Sequence, residues 1–179
     1  VSWFLPSIPG DPEASGRREL AALRLPQVWL TLLAGAVGFG GMFAVYTYIT
    51  TTMTDVAGLS RSLVPVALMV FGLGMVVGNI VGGRLADRSV IRALYLSMGT
   101  LSAALAVFVF ASHNPWTALP VLFGIGAAGS AVAPALQTRL MDVAHDAQTL
   151  AAALNHSALN IGNATGAWVG GLVIAAGLG

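Results

Sequence analysis

The sequence predicts an all-α, polytopic membrane protein. Three observations support this prediction: the composition, the lengths of the apolar stretches and the absence of strand-like alternation within them. Apolar residues make up 56% of the chain and charged residues only 8%, with a mean hydropathy of +0.82. Soluble domains carry about a quarter charged residues, so this composition cannot form a water-soluble surface. A membrane β-barrel needs segments of about ten residues in alternating polarity, and none occurs.

Five stretches are long enough to cross a bilayer, which takes about 20 mainly apolar residues in a helix. N-cap residues and early prolines lie at their starts, as is typical of helices. These residues are Pro26, Ser62 with Pro65, Ser89, Asn114 with Pro115, and Asp146. The first to fifth predicted spans are residues 28–51, 63–85, 90–111, 116–136 and 150–178.

Charge placement predicts the orientation of these spans, because cytoplasmic loops retain arginine and lysine. The net charge of +1 comes from eight arginines, without lysine, against seven acids. In the predicted topology, seven arginines fall on one side of the membrane and only Arg61 on the other. The seven are Arg17, Arg18, Arg24, Arg84, Arg88, Arg92 and Arg139. We therefore expect a multi-pass protein of the cell inner membrane, with its N-terminal segment cytoplasmic.

The organisation predicted around the spans has three parts. Residues 1–5 end another span, residues 6–25 form a cytoplasmic linker, and residues 26–179 form a transmembrane bundle. Within the linker, residues 17–24 form either an amphipathic surface helix or a disordered basic segment. Few cations are available for nucleic acid, and the absence of cysteine removes disulfides and thiolate metal sites. No catalytic residue, metal site or cofactor is predicted.

The turn between the second and third spans carries the most specific motif, which runs from Gly83 to Arg92. It resembles the major facilitator loop pattern Gly-x-Leu-Ala-Asp-Arg-x-Gly-Arg-Arg and departs from it at Val90 and Ile91. Further similarity to the twelve-helix drug and sugar efflux proton antiporters lies in residues 43–49, 72–79 and 160–168.

The resemblance implies a major facilitator fold of which this chain supplies helices seven to eleven and the end of helix six. It also implies a secondary transporter, not an enzyme, that exports a small organic molecule by alternating access with proton coupling. The implied partners are the bilayer, the substrate and an N-terminal six-helix half outside this chain.

In the motif, acid and arginines are expected to form an ion-pair network that opens and closes a cytoplasmic gate. Gly83 would allow close helix approach. The alternative is that the arginines only set topology and the acid neutralises them. The predicted gate residues are Gly83, Arg84, Asp87, Arg88 and Arg92.

Two rows of glycine with four-residue spacing predict close helix packing. The second and fifth spans, which carry them, are counterparts in the inverted repeats of such transporters. We expect both rows to meet the other half of the transporter, the alternative being packing within this half. The rows are Gly74, Gly78 and Gly82, and Gly162, Gly166 and Gly170.

The resemblance places the first and fourth spans along the substrate path, where an aromatic and weakly polar wall suits amphipathic molecules. The alternatives are ordinary core packing for the phenylalanines and interfacial anchoring for Tyr46. The residues on these two stripes are Phe39, Phe43 and Tyr46, and Phe123, Ser130, Pro134 and Gln137.

Polar side chains inside the spans are costly in hydrocarbon and therefore candidates for function. Asn79 lies in the second span, and Asn155, His156, Asn160 and Asn163 lie in the fifth, the last three on one face. His156 either couples protons or contacts substrate, or it only bonds between helices. Because no acid lies in any span, a titrating carboxylate is expected in the other half.

Two other classes of function remain open at this stage. An integral-membrane enzyme, such as a lipid-modifying transferase, would need convergent acids or histidines. The one candidate cluster is Asp142, His145 and Asp146, in the turn after the fourth span. A nontransporting sensor or scaffold is the other alternative.

Overall fold

The computed structural model describes residues 21–144 and 147–177, which form five long helices and no strand. All five are long and apolar enough to cross a membrane. The predicted end of a span at residues 1–5, and residues 6–20 of the predicted linker, lie outside the described residues. The helices are α1 (Pro26–Thr47), α2 (Val64–Arg88), α3 (Val90–Ala111), α4 (Pro115–Ala144) and α5 (Gln148–Ala175).

Short helical pieces flank α1 at both ends. Ala22–Arg24 form a single 3-10 turn, and the indole nitrogen of Trp29 donates to the Leu23 carbonyl oxygen at 2.8 Å. This bond fixes the last residues of the predicted linker against the start of α1.

The first predicted span was expected to continue to Thr51, but α1 ends at Thr47. Tyr48 departs from helical geometry (φ −107°, ψ 15°), and a π-helix follows at Thr52–Val56. Five of the six residues from Thr47 to Thr52 are β-branched, which lowers helix propensity. The hydroxyl of Tyr48 donates to the Ala167 carbonyl oxygen at 2.9 Å, which anchors the break on α5.

The fourth predicted span was expected to end at Leu136, but α4 continues to Ala144. Its 30 residues correspond to about 45 Å, well beyond the roughly 30 Å of hydrocarbon. Bilayer thickness limits the apolar stretch and does not end the helix. Arg139 and Asp142 therefore lie in helical turns, and Arg139 donates to the Gln27 side chain at 2.9 Å.

The glycine row of α2 packs against α4, within this bundle. A methyl group at Gly74 would overlap the Phe123 carbonyl oxygen, and one at Gly78 would overlap the Ala127 carbonyl oxygen. One at Gly82 would lie 2.5 Å from the Ala131 carbonyl oxygen. The prediction that this row meets the other half is therefore wrong, because its face is already filled by α4.

The glycine row of α5 packs in the same way against α1. The Gly162 face meets the backbone of Ala36, the Gly166 face meets Gly40, and Gly170 lies under the Tyr48 ring. The prediction of an external partner is wrong here too. Because spans one and two correspond to spans four and five in an inverted repeat, the α2–α4 and α5–α1 pairs are equivalent contacts.

Helix α4 is the centre of the bundle, packing against each of the other four helices. The main buried cluster joins Met42 of α1, Phe71 of α2, Leu101 of α3 and Leu122 and Ile125 of α4. This core packs α1, α2 and α3 around α4. One face of α4 stays open between α2 and α5.

Candidate functional site: a polar groove between three helices

A groove of about 350 Å³ lies over α4, between α2 and α5. Helix α4 packs against both flanking helices, which do not pack closely on each other. We call this feature the polar groove. It is lined by Asn79 of α2, by Ala133, Pro134, Gln137 and Thr138 of α4, and by Asn155, His156 and Leu159 of α5.

The deep part of the polar groove is organised by a pair of amides. Asn155 is only 4% exposed, and its side-chain nitrogen donates to the Gln137 side-chain oxygen at 3.0 Å. A buried amide without a partner costs about 1–3 kcal/mol, so this bond fixes both side chains. Gln137 is left with its own amide nitrogen as a donor for a bound molecule.

The rim of the polar groove carries two exposed polar side chains from opposite walls. Asn79 projects from α2 and His156 from α5. Together with the pair below them, they offer amide and imidazole donors and acceptors without a formal carboxylate or guanidinium in the lining. This part of the molecule can bind hydroxyl, carbonyl or amide groups by hydrogen bonds.

Pro134 occupies the middle of the groove floor within α4. Proline has no backbone N–H, so it removes one helical hydrogen bond. The Thr138 hydroxyl donates to the Pro134 carbonyl oxygen at 3.0 Å, which is the one-turn bond that such side chains make in helices. The floor is therefore a locally weakened segment of an otherwise continuous helix.

The aromatic residues predicted on the first span form a ladder along α1 that reaches α2. Phe39 and Phe43 stack with ring centroids 5.8 Å apart, and Phe43 meets Tyr46 edge-on at 5.7 Å. Tyr46 in turn lies 5.3 Å from Phe71 of α2. Both phenylalanines also pack on the main core, and Tyr46 is 43% exposed.

Comparison with known proteins identifies the family of this chain. A sequence profile of the Major Facilitator Superfamily matches residues 1–167. The chain belongs to the Major Facilitator Superfamily. It is 40% identical over 163 residues to the inner membrane transport protein YdhP of Escherichia coli (strain K12), covering 91% of this chain and 42% of that protein.

Two further relatives have names that refer to resistance or efflux. The chloramphenicol resistance protein of Streptomyces lividans is 35% identical over 150 residues, covering 84% of this chain and 38% of that protein. A probable sugar efflux transporter of Pasteurella multocida (strain Pm70) is 34% identical over 134 residues, covering 74% of this chain and 33% of that protein. The chain spans less than half the length of these relatives.

Family membership confirms the predicted fold and the multi-pass membrane character of this major facilitator chain. The family consists of transporters, so the membrane-enzyme alternative is wrong. Of its candidate cluster, His145 and Asp146 lie outside the described residues, and Asp142 is exposed on α4. Within the described ranges, no group of three or more acids, histidines or cysteines is placed to hold a metal ion.

The loop motif of this major facilitator chain lies at a one-residue turn, Ser89, between α2 and α3. The side chains of Arg84, Asp87, Arg88 and Arg92 are all exposed. A methyl group at Gly83 would meet nothing within 4 Å. The predicted close approach at Gly83 therefore does not occur within this bundle.

The remaining predicted residues lie outside the polar groove. Ser130 is buried in α4 at 5% exposure, Phe123 is partly exposed on the same helix, and Asn160 and Asn163 lie farther along α5. The groove thus unites Asn79, Pro134, Gln137, Asn155 and His156 and separates them from the other candidates.

Sequence reasoning did not identify Asn155 and Thr138 as part of this site. Asn155 was noted as a polar residue in a span, but it does not share the face of His156 and Asn160. Its pairing with Gln137 depends on the register of α5 against α4. The available signal was that two amides, one in each of two adjacent spans, both needed partners in hydrocarbon.

Proposed function

We propose that the intact protein is a secondary active efflux transporter that exports a small uncharged organic molecule in exchange for protons. This chain forms the C-terminal half, and the N-terminal half closes over the polar groove from the other side. The two halves rock about a midplane site, as expected for alternating access. The observation that carries the proposal is the polar groove itself.

The position of the groove supports a role in the substrate path. Both glycine rows are filled by helices of this bundle, so α2 and α5 use their small-residue faces internally. The open seam between them exposes Asn79 and His156. Polar groups on an open face inside a membrane region are favourable only where water, protein or substrate covers them.

The chemistry of the groove supports an uncharged substrate. Amides bind hydroxyl, carbonyl and amide groups in either direction, whereas an organic cation would find no carboxylate among the lining residues. Sugars are polyhydroxylated, and one relative is named a probable sugar efflux transporter. The amide pair and the rim therefore fit polar neutral groups of the substrate.

Proton exchange, in this proposal, uses a carboxylate of the other half. The acids of the described ranges are Asp55, Asp87 and Asp142, and all three lie near helix ends. None lines the polar groove. His156 acts here as a hydrogen-bonding group for the substrate.

Efflux by the intact protein tests this proposal. We expect Asn79→Leu and His156→Leu each to lower efflux of a neutral, hydroxyl-bearing drug or sugar by about 5- to 100-fold, because each leaves a polar group of the bound substrate without a partner, which costs about 1–3 kcal/mol. Cells expressing equal membrane amounts of each variant are loaded with labelled substrate, and its release is measured.

The matched control is Ser102→Leu, an exposed α3 position that does not line the groove. It should transport like the unmodified protein. Unchanged efflux in both groove variants would contradict the assignment of the site. A purified, folded protein that moves no substrate of any tested class would instead favour the sensor or scaffold alternative.

A further inference from the structure

A second groove, of about 260 Å³, lies on the other side of the α2–α4 contact. Its walls are α2 and α3 and its floor is α4, and we call it the apolar groove. On α2, Val77 lies two positions from Asn79, which is about 200° around the helix. The lining residues are Val77, Gly78, Val81, Leu85, Leu96, Ser97, Thr100, Ala127, Ala128 and Ala131.

Within the described residues, no buried side-chain nitrogen or oxygen lacks a hydrogen-bond partner, and this includes the interior of the apolar groove. The Ser97 hydroxyl donates to the Ala93 carbonyl oxygen of its own helix. The floor consists of alanines, and the α2 wall consists of aliphatic side chains one turn apart. From Val77 to Leu85 this wall runs eight residues, or about 12 Å. A hydrocarbon chain fits these properties.

One end of the apolar groove carries two cations, one from each wall. On α2, Arg88 follows Leu85 by three positions, and on α3, Arg92 precedes Leu96 by four. Residues three or four positions apart lie on the same face of a helix, so each arginine shares a face with the groove-lining residues of its own helix. Both side chains are exposed. The one-residue turn at Ser89 holds the two helix ends together.

We propose that the apolar groove binds one anionic phospholipid, with an acyl chain along α4 and the phosphate between Arg88 and Arg92. Lipid tails are as apolar as the groove, so burial of the chain alone gives no preference over bulk lipid. The preference comes from the arginines, since each basic residue near an anionic lipid surface contributes attraction. The site does not depend on transport, so it can be tested separately from the proposed function.

Binding of defined lipids to the purified, delipidated intact protein tests this site. Phosphatidylglycerol and phosphatidylcholine with identical acyl chains are titrated, and bound lipid is counted by native mass spectrometry. We expect the first phosphatidylglycerol to bind more tightly than phosphatidylcholine. Arg88→Gln and Arg92→Gln should each weaken phosphatidylglycerol binding about fivefold.

A second variant tests the groove separately from the headgroup. Thr100→Phe places a larger side chain on the α3 wall and should weaken binding of both lipids; Leu96→Phe serves if that protein fails to fold. The controls are Arg61→Gln, an exposed arginine at the opposite end of α2, and Ser102→Phe, an exposed position outside the groove. Both should bind phosphatidylglycerol like the unmodified protein.

Three outcomes would overturn the proposal. The first is equal binding of the two lipids, and the second is a preference for phosphatidylglycerol that survives both arginine substitutions. The third is full competition by inorganic phosphate combined with no effect of either groove-filling variant, which would indicate a simple anion site at the turn.

Discussion

Alanine in place of Gly78 is expected to destabilise the intact protein strongly and to lower its unfolding temperature. The added methyl group would overlap the Ala127 carbonyl oxygen and lie 2.6 Å from its carbonyl carbon and its Cα. These are backbone atoms of α4, so no side-chain rotation relieves the contact. Overpacking costs about 1–3 kcal/mol and sometimes more, and we expect the upper end of that range or beyond. Thermal unfolding of purified protein measures it.

The same helix offers a matched control at Gly72. A methyl group there meets nothing within 4 Å, and alanine is favoured over glycine in a helix by about 1 kcal/mol. Gly72→Ala should therefore be neutral or stabilising. If Gly78→Ala and Gly72→Ala unfold at the same temperature, the close α2–α4 contact described here is incorrect.

Asparagine in place of Asp87 is expected to abolish most efflux while the protein accumulates normally in the membrane. Asp87 lies in the last turn of α2, between Arg84 and Arg88 in sequence, and Arg92 lies in the first turn of α3. The substitution keeps the size of the side chain and removes its charge. The predicted gate needs that charge, because the carboxylate would pair with arginines of the motif in the closed arrangement and an amide cannot. Initial rates of efflux, normalised to membrane abundance, measure the effect.

Asp142→Asn is the control for this experiment. Asp142 is an exposed acid near the end of α4, at the same end of the bundle as Asp87, and it is not part of the motif. Its variant should transport normally. Unchanged efflux in Asp87→Asn, or an equal loss in Asp142→Asn, would contradict the gate.

The number and approximate position of the helices were predictable because bilayer thickness sets the length of an apolar span. The helix ends were less predictable. Helix α1 ends early, at Thr47, because β-branched residues follow and because Tyr48 bonds to Ala167. The bond to Ala167 joins residues that are distant in sequence, so local sequence cannot predict it. At the end of α4, residues after Leu136 stay helical while they leave the apolar layer.

The glycine rows show a similar limit of prediction. A repeat such as Gly74, Gly78 and Gly82 identifies a face that lets another backbone approach, but nothing in the repeat identifies the partner. The predicted partner is the other half of the transporter, whereas Ala127 and its neighbours in α4 occupy the face. Local spacing gives the geometry of a contact, and the fold decides which helix makes it.

The candidate site was predictable only in part. Asn79 and His156 were found because polar groups are costly in hydrocarbon, and Gln137 because it lay on a predicted stripe. Which of them meet depends on helix register, which also pairs Asn155 with Gln137. The same register buries Ser130, although its spacing matched that of Gln137.

The accessibility of single cysteines tests most directly whether the polar groove faces the substrate path. This chain has no cysteine, so Asn79→Cys, His156→Cys and Val77→Cys can each be introduced into an intact protein whose other cysteines are replaced. Modification by a water-soluble maleimide is followed with and without saturating substrate. We expect Asn79→Cys and His156→Cys to react and to be protected by substrate, and Val77→Cys, on the apolar-groove side of α2, to stay unreactive. Equal reaction at all three positions, or no protection by any transported substrate, would contradict the account.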